Sequence, residues 1–218
     1  MDKVAIVHTG TSNVASVVAA LTRAGVTSEI VMDRKSLLAA NRIVIPGVGA
    51  FGAAMETLRK YDLAETLTKK LREGTPALAI CLGMQILFDS SEESPGVQGL
   101  GIFRGHIRKF RAGIRVPHLG WNEVKPVRDQ VSERWLQSGH AYFAHSFLYP
   151  WDDSSDNFAT TEYTEHFVSA IETENILACQ FHPELSGAWG AALIGRWLGR
   201  EDINTNPLIT AKEEAIKC

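Results

Sequence analysis

A cysteine closing one apolar run, and a histidine two residues before a glutamate closing another, are the parts of a covalent acyl-transfer site. Ile80-Cys81-Leu82-Gly83 joins a short apolar segment to a helical pattern. That is the sharp strand-to-helix turn that lifts a nucleophile above a sheet, here with cysteine at its tip. A thiol at a helix start feels the positive end of the dipole and unpaired amides, which favour the thiolate. Far downstream, Phe181-His182-Pro183-Glu184 ends the apolar run Ile176 to Phe181. Residues two apart in extended chain project to one side, and Pro183 stiffens the link. Glu184 can therefore orient His182, while His182 takes the Cys81 proton and later gives it to a leaving amine. The bland alternatives are a buried structural cysteine and a hydrogen-bonded histidine at a strand end. The His-x-Glu spacing weighs against the second.

A third element is Pro46-Gly47-Val48-Gly49-Ala50-Phe51-Gly52, whose glycines spell G-x-G-x-x-G. A dinucleotide fingerprint would follow the first strand and be answered by a ribose-binding acid, and neither condition is met. The loop reads better as a row of backbone amides beside the nucleophile. Amides at Val48, Gly49 and Leu82 can stabilise an oxyanion, each such donor being worth ~3–4 kcal/mol in a transition state. Glycines flanking Val48 make its peptide easy to reorient, which predicts a slow isolated chain.

The elements that must position these groups alternate through the first half. Val4 to Val7, Thr27 to Met32, Arg42 to Ile45 and Ala77 to Ile80 read as strands. Helical patterns carry Val14, Val17, Val18 and Leu21, then Gly52 to Lys60, Leu63 to Glu73, and Leu82 to about Ser90. Apolar strands between amphipathic helices predict an α/β fold, an open, mostly parallel twisted sheet flanked by helices. In the second half Leu100 to Phe110, Asn122 to Pro126, Tyr142 to Leu148, Phe158 to Tyr163, Phe167 to Ile171 and Ile176 to Phe181 are strand-like, an antiparallel extension. A helix over about Ala188 to Leu198 closes a domain of residues 1–199. A polar tail, 200–218, follows as frayed or partly helical chain.

Composition narrows the class. The 218 residues are 45% hydrophobic and 22% charged with a net charge of −3, the profile of an ordinary globule rather than a nucleic-acid binder. Early apolar runs are too short for a signal peptide or membrane span, so a cytoplasmic protein is expected. Three cysteines, Cys81, Cys179 and Cys218, without C-x-x-C spacing, point away from disulfides and zinc. No metal, no organic cofactor, no nucleic acid and no membrane are expected.

The motifs PGVGAF (Pro46 to Phe51), ICLGMQILF (Ile80 to Phe88), SEE (Ser91 to Glu93), VPHLGWNEV (Val116 to Val124), YFAHSF (Tyr142 to Phe147) and QFHPELSG (Gln180 to Gly187) occur in that order. Together they resemble the class I (triad) glutamine amidotransferases, of flavodoxin-like fold, and most of all the glutaminase subunits of imidazole glycerol phosphate synthase in histidine biosynthesis. The resemblance covers about Val4 to Leu198. It implies glutamine hydrolysis through a Cys81 thioester, with His182 as general acid and base and Glu184 as its orienter. It implies that Gly49, Gln85, Glu93, His145 and Ser146 hold glutamine, Gln85 lying one helical turn beyond Cys81. It also implies a heterodimer with a (β/α)8-barrel cyclase subunit that receives the ammonia, with Asn13, Pro117, Trp121 and Tyr142 at or near the interface. Tryptophan is a common interface anchor, a buried core ring being its alternative.

The chain departs from the family at Leu185, where a lysine or arginine is usual, and at Ala79, where glycine is common. Arg104, Arg108, Lys109, Arg111 and Arg115 read either as a solvated strand face or as a basic rim for an acidic partner. Two further readings stay open: a paralogous amidotransferase feeding another synthase, such as one making surface amino sugars, and a non-catalytic docking module.

Overall fold

The structure, a computed structural model, describes residues 3–10, 14–127, 135–151 and 158–200. Asn13 and the expected tail from 201 onward lie outside the described residues. The first half runs β1 (Lys3–Val7), α1 (Val14–Arg23), β2 (Thr27–Val31), α2 (Arg34–Ala39), β3 (Ile43–Ile45), α3 (Phe51–Lys60), α4 (Leu63–Arg72), β4 (Ala77–Ile80) and the single turn α5 (Leu82–Gln85). Then follow β5 (Ser90–Ser91), β6 (His106–Lys109), β7 (His118–Pro126), β8 (Gly139–His145), β9 (Phe147–Pro150), β10 (Phe158–Tyr163), β11 (Glu165–Glu172) and β12 (Ile176–Cys179). A 3-10 turn, Pro183–Leu185, leads into α6 (Gly187–Trp197).

The main path of the sheet is β2-β1-β3-β4-β12-β11-β10-β7-β8, with β5, β6 and β9 attached beside it. Pairing is parallel from β2 to β12 and antiparallel from β12 to β8, as the two halves of the sequence predict. Strand alternation divides the core between the two faces. Val4, Ile6, Val44, Leu78, Ile80 and Leu177 face α1 and α6 through Val17, Leu21, Leu193 and Trp197. Ala5, Val7, Ile43, Ile45, Ala77, Ala79 and Ile176 face α2, α3 and α4 through Leu37, Phe51, Leu58 and Leu67. No described helix is long and apolar enough to cross a membrane.

Three local expectations differ from the structure. α2 is an added helix, started by Asp33, whose carboxylate accepts from Ser36 N at 2.9 Å. The helix expected from Leu82 to Ser90 stops at Gln85. Beyond it the carbonyls of Ile86, Leu87 and Phe88 accept instead from Leu100, Ile102 and Gly101 N–H groups, so they serve a neighbouring loop rather than a helical ladder. Within Leu100 to Phe110 only His106–Lys109 is strand. The basic run is also partly spent inside the fold: Arg108 and Arg111 both pair with the buried Glu165 carboxylate.

Candidate active site

β3, β4 and β12 are neighbours in the parallel half, and the predicted chemistry gathers at their carboxyl ends, where open α/β sheets bind ligands. Cys81 follows β4 directly. Its φ of 53° and ψ of −109° are a conformation that L-residues rarely adopt, as a sharp elbow requires. Its N–H donates to Cys179 O of β12 at 2.7 Å, extending the ladder by one bond. Gly83 makes the turn possible: a Cβ there would lie 1.9 Å from Ile45 O. On the other wall, a Cβ on Gly47 would lie 2.6 Å from the Leu82 Cβ and 2.7 Å from Gly83 N. The glycine loop is thus pressed against the elbow, and Gly49 continues it at φ 106°.

His182 and Glu184 follow β12. His182 Nδ1 and Glu184 Oε1 are 2.9 Å apart, both side chains almost fully buried. The imidazole and the Cys81 sulfur line the same cavity, close enough for the sulfur to raise the proton affinity of His182. Burial pulls the imidazole down, but its interactions with Cys81 and Glu184 and the negative field of both outweigh it and push its pKa up to about 10. The three predicted groups therefore meet at one site. Cys179 is not a competitor: burial first, then the Glu184 and Glu172 charges, push its thiol well above the ordinary range.

A cavity of about 370 Å³ opens over Cys81 and His182. Its walls include Val48, Gly49, Leu82, Gln85, Glu93, Pro117, His145 and Ser146, so every residue expected to hold the substrate or oxyanion lines it. Larger cavities lie away from the nucleophile: about 530 and 580 Å³ along α3 and α4 between charged side chains such as Arg59 and Lys69, and about 390 Å³ beside β7 and β10. Gln85 Nε2 donates to Phe147 O at 3.0 Å and Gln180 Oε1 at 2.9 Å, so it offers a ligand its carbonyl oxygen. Glu93 Oε2 accepts from Phe51 N at 2.7 Å.

His145 is buried and works without charge. Its Nδ1 lies 2.8 Å from Phe147 O, and its Nε2 lies 3.1 Å from His118 Nδ1. Burial holds His145 at about 3, against the opposing hydrogen bond to Phe147, and holds His118 at about 4. A carbonyl accepts only, so His145 carries its proton on Nδ1 and His118 donates to its Nε2. His118 and Gln180 are the two site-related residues that the sequence reading passed over. The signal for each was a polar residue that alternation turned toward the core.

Of the expected interface residues, Pro117 lines the cavity while Trp121 and Tyr142 face each other across β7 and β8, rings 6.3 Å apart. Trp121 is 57% exposed, so the core alternative for it is set aside, and Leu119 beside it is 64% exposed. Leu185 and Val48 are exposed as well. Among the described residues no group of three or more His, Cys, Asp or Glu side chains is arranged to hold a metal ion.

The family profile described as glutamine amidotransferase class-I matches residues 5–195. The subunit HisH of imidazole glycerol phosphate synthase from Geobacillus thermodenitrificans is 35% identical over 206 residues, covering 91% of this chain and 96% of that one. The chloroplastic imidazole glycerol phosphate synthase hisHF of Arabidopsis thaliana is 41% identical over 199 residues, 89% of this chain, which spans only 34% of that longer protein. Among solved structures, one titled as a glutamine amidotransferase superposes with a TM-score of 0.71 at 19% identity, covering 90% of this chain and 97% of that one, a likeness of fold.

Proposed function

Because the chain belongs to the class-I glutamine amidotransferases, and within them to the HisH subunits of imidazole glycerol phosphate synthase, we propose that its cavity hydrolyses glutamine to glutamate and ammonia through a thioester on Cys81. The observation that carries this reading is the meeting of Cys81, on a strained elbow, with the hydrogen-bonded His182–Glu184 pair at one cavity. His182 takes the Cys81 proton, and the sulfur attacks the side-chain amide carbon of glutamine. The negative oxygen that forms is held by the Leu82 N–H and by an amide of the Val48–Gly49 loop. Collapse expels ammonia, which leaves with the proton from His182. Water then attacks the thioester, giving its proton to His182, and glutamate departs as the sulfur regains its charge.

Glu184 keeps the imidazole in the tautomer that faces sulfur. Glu93 pairs the substrate ammonium, while Gly49, Gln85, His145 and Ser146 bind the rest of glutamine. The neutral state of His145 supports a binding role rather than an acid-base one.

Pro117, Trp121 and Tyr142, with the exposed Leu119, Leu185 and Val48, form the docking face for a (β/α)8-barrel cyclase subunit that consumes the ammonia in the cytoplasm; Asn13 joins them by motif. An apolar Leu185 favours a partner that meets it with apolar surface rather than with a carboxylate. The test is glutamate release by the wild-type chain and by Cys81→Ala, alone and with the cyclase subunit plus its nucleotide substrate. Strong stimulation by the complex, abolished in Cys81→Ala, is expected. Hydrolysis at an unchanged rate in the variant overturns the mechanism. Failure of the cyclase to stimulate a competent wild type overturns the partnership and favours another synthase.

A further inference from the structure

Gln180 stands outside the triad, yet its side chain is fully buried and its amide meets the same sulfur. It lies one residue beyond β12 and two before His182. The chain bends at Gln180 and Phe181, and both side chains reach the Cys81 site. Gln180 Nε2 is 3.6 Å from Cys81 Sγ.

Which end of that amide faces sulfur follows from its partners. Phe147 O can only accept, and it meets Gln85 Nε2 at 3.0 Å. The second proton of that nitrogen goes to Gln180 Oε1 at 2.9 Å. The oxygen of Gln180 is thus committed to Gln85, and its amino group is turned to the sulfur. Reversing Gln180 would set two amino groups against each other and a carbonyl oxygen against Sγ, in an interior where such mismatches cost most.

We propose that Gln180 is a further catalytic residue, a fixed hydrogen-bond donor that holds negative charge on the Cys81 sulfur before attack and again when the thioester is cleaved. The proposal rests on Cys81 being the nucleophile. Gln180 donates a hydrogen bond and transfers no proton, so it serves the sulfur whether His182 is charged or neutral. Gln85 acts through it as a positioning residue.

Alkylation of Cys81 by iodoacetamide, read by mass spectrometry of the Cys81 peptide across pH, tests this without glutamine. Gln180→Glu keeps the side-chain size and an oxygen for Gln85 but sets a second carboxylate oxygen against sulfur. Its alkylation at neutral pH is expected to slow by roughly tenfold or more, with kcat for glutamine falling alike and KM little changed. Wild-type alkylation in this variant would mean that Gln180 merely holds Gln85, and overturns the proposal. Gln85→Leu frees the Gln180 amide to rotate and is expected to slow alkylation by roughly threefold; it decides alone if Gln180→Glu does not fold. An unchanged rate there overturns the proposal. A wild-type chain that turns over no glutamine would fail the function proposed above while leaving this readout intact.

Discussion

Glu93 Oε2 accepts from the Phe51 N–H at 2.7 Å, so a carboxylate lining the cavity also caps α3. Ser94 Oγ accepts from the next amide, Gly52 N, at 2.9 Å. The loop that carries the candidate ammonium partner is therefore tied to the helix that ends the glycine loop. The two bonds are separable by mutation. Ser94→Ala is expected to cost ~1 kcal/mol, a fall of about 2–4 °C in Tm, with the glutamine KM within about twofold of wild type. Glu93→Ala is expected to lower Tm similarly and raise KM by roughly tenfold or more, because an ammonium partner is lost as well. Equal KM values for the two variants would remove Glu93 from the substrate site. Thermal melts and glutamate release give both numbers.

Cys81 is held at positive φ, which inverts the usual order of alanine and glycine. Cys81→Ala and Cys81→Gly are both expected to abolish glutamine hydrolysis. The glycine variant should be more stable than the alanine variant by about 1 kcal/mol, since it relieves the elbow. A less stable glycine variant would mean that the backbone carries no strain there.

The buried histidine pair sets the acid limb of stability. Unfolded, each imidazole binds a proton near 6.5; folded, His118 resists until about 4 and His145 until about 3. Between these values the unfolded chain binds protons that the native one does not. Stability that is full above pH 6.5 is lost as pH falls, by about 2 kcal/mol per residue at pH 5. Urea midpoints at pH 7 and pH 5 measure it. His182, held up to about 10 in the folded chain, works the other way and returns about 1 kcal/mol over this range. His118→Gln, which leaves one titrating group of the pair, should therefore remove more than half of the net fall; an unchanged slope would mean that His118 is charged in the native protein.

Trp121 tests the proposed docking face. Its exposure means that Trp121→Ala should leave Tm and alkylation of Cys81 unchanged. Affinity for the cyclase subunit should fall by about 2 kcal/mol, roughly thirtyfold, as for a central aromatic anchor. Titration calorimetry with the purified subunit measures this, and wild-type affinity would move the interface elsewhere.

The parallel half was legible because Val4–Val7, Ile43–Ile45 and Ala77–Ile80 are apolar on both faces, which only a sheet covered twice requires. The grouping of Cys81, His182 and Glu184 was legible because each cue is local, though Glu184 meets His182 from a 3-10 turn rather than from the extended chain expected. Gln180 was not, since the bond that gives it a role runs through Gln85 and Phe147, residues far away in sequence. The early end of α5 was hidden for a related reason. Ile86, Leu87 and Phe88 suit a buried helix, and only the 100–103 loop, by claiming their carbonyls, ends it. α2 buries one residue, Leu37, so its apolar period is faint, and its one clear mark is the Asp33 cap.

Cys81 directly follows β4 and His182 lies three residues past its neighbour β12; the Cys81 N–H bonds Cys179 O and the His182 N–H bonds Tyr142 O of β8. Both backbones are thus tied to the sheet, one through β12 and the other through β8. The wall made by Val48 and Gly49 is different, for it lies outside the strand ladders. Any event that tunes turnover must therefore reshape the walls around an already assembled pair. In engineering terms, the reaction's blade is forged into the frame, and only its sheath is hinged.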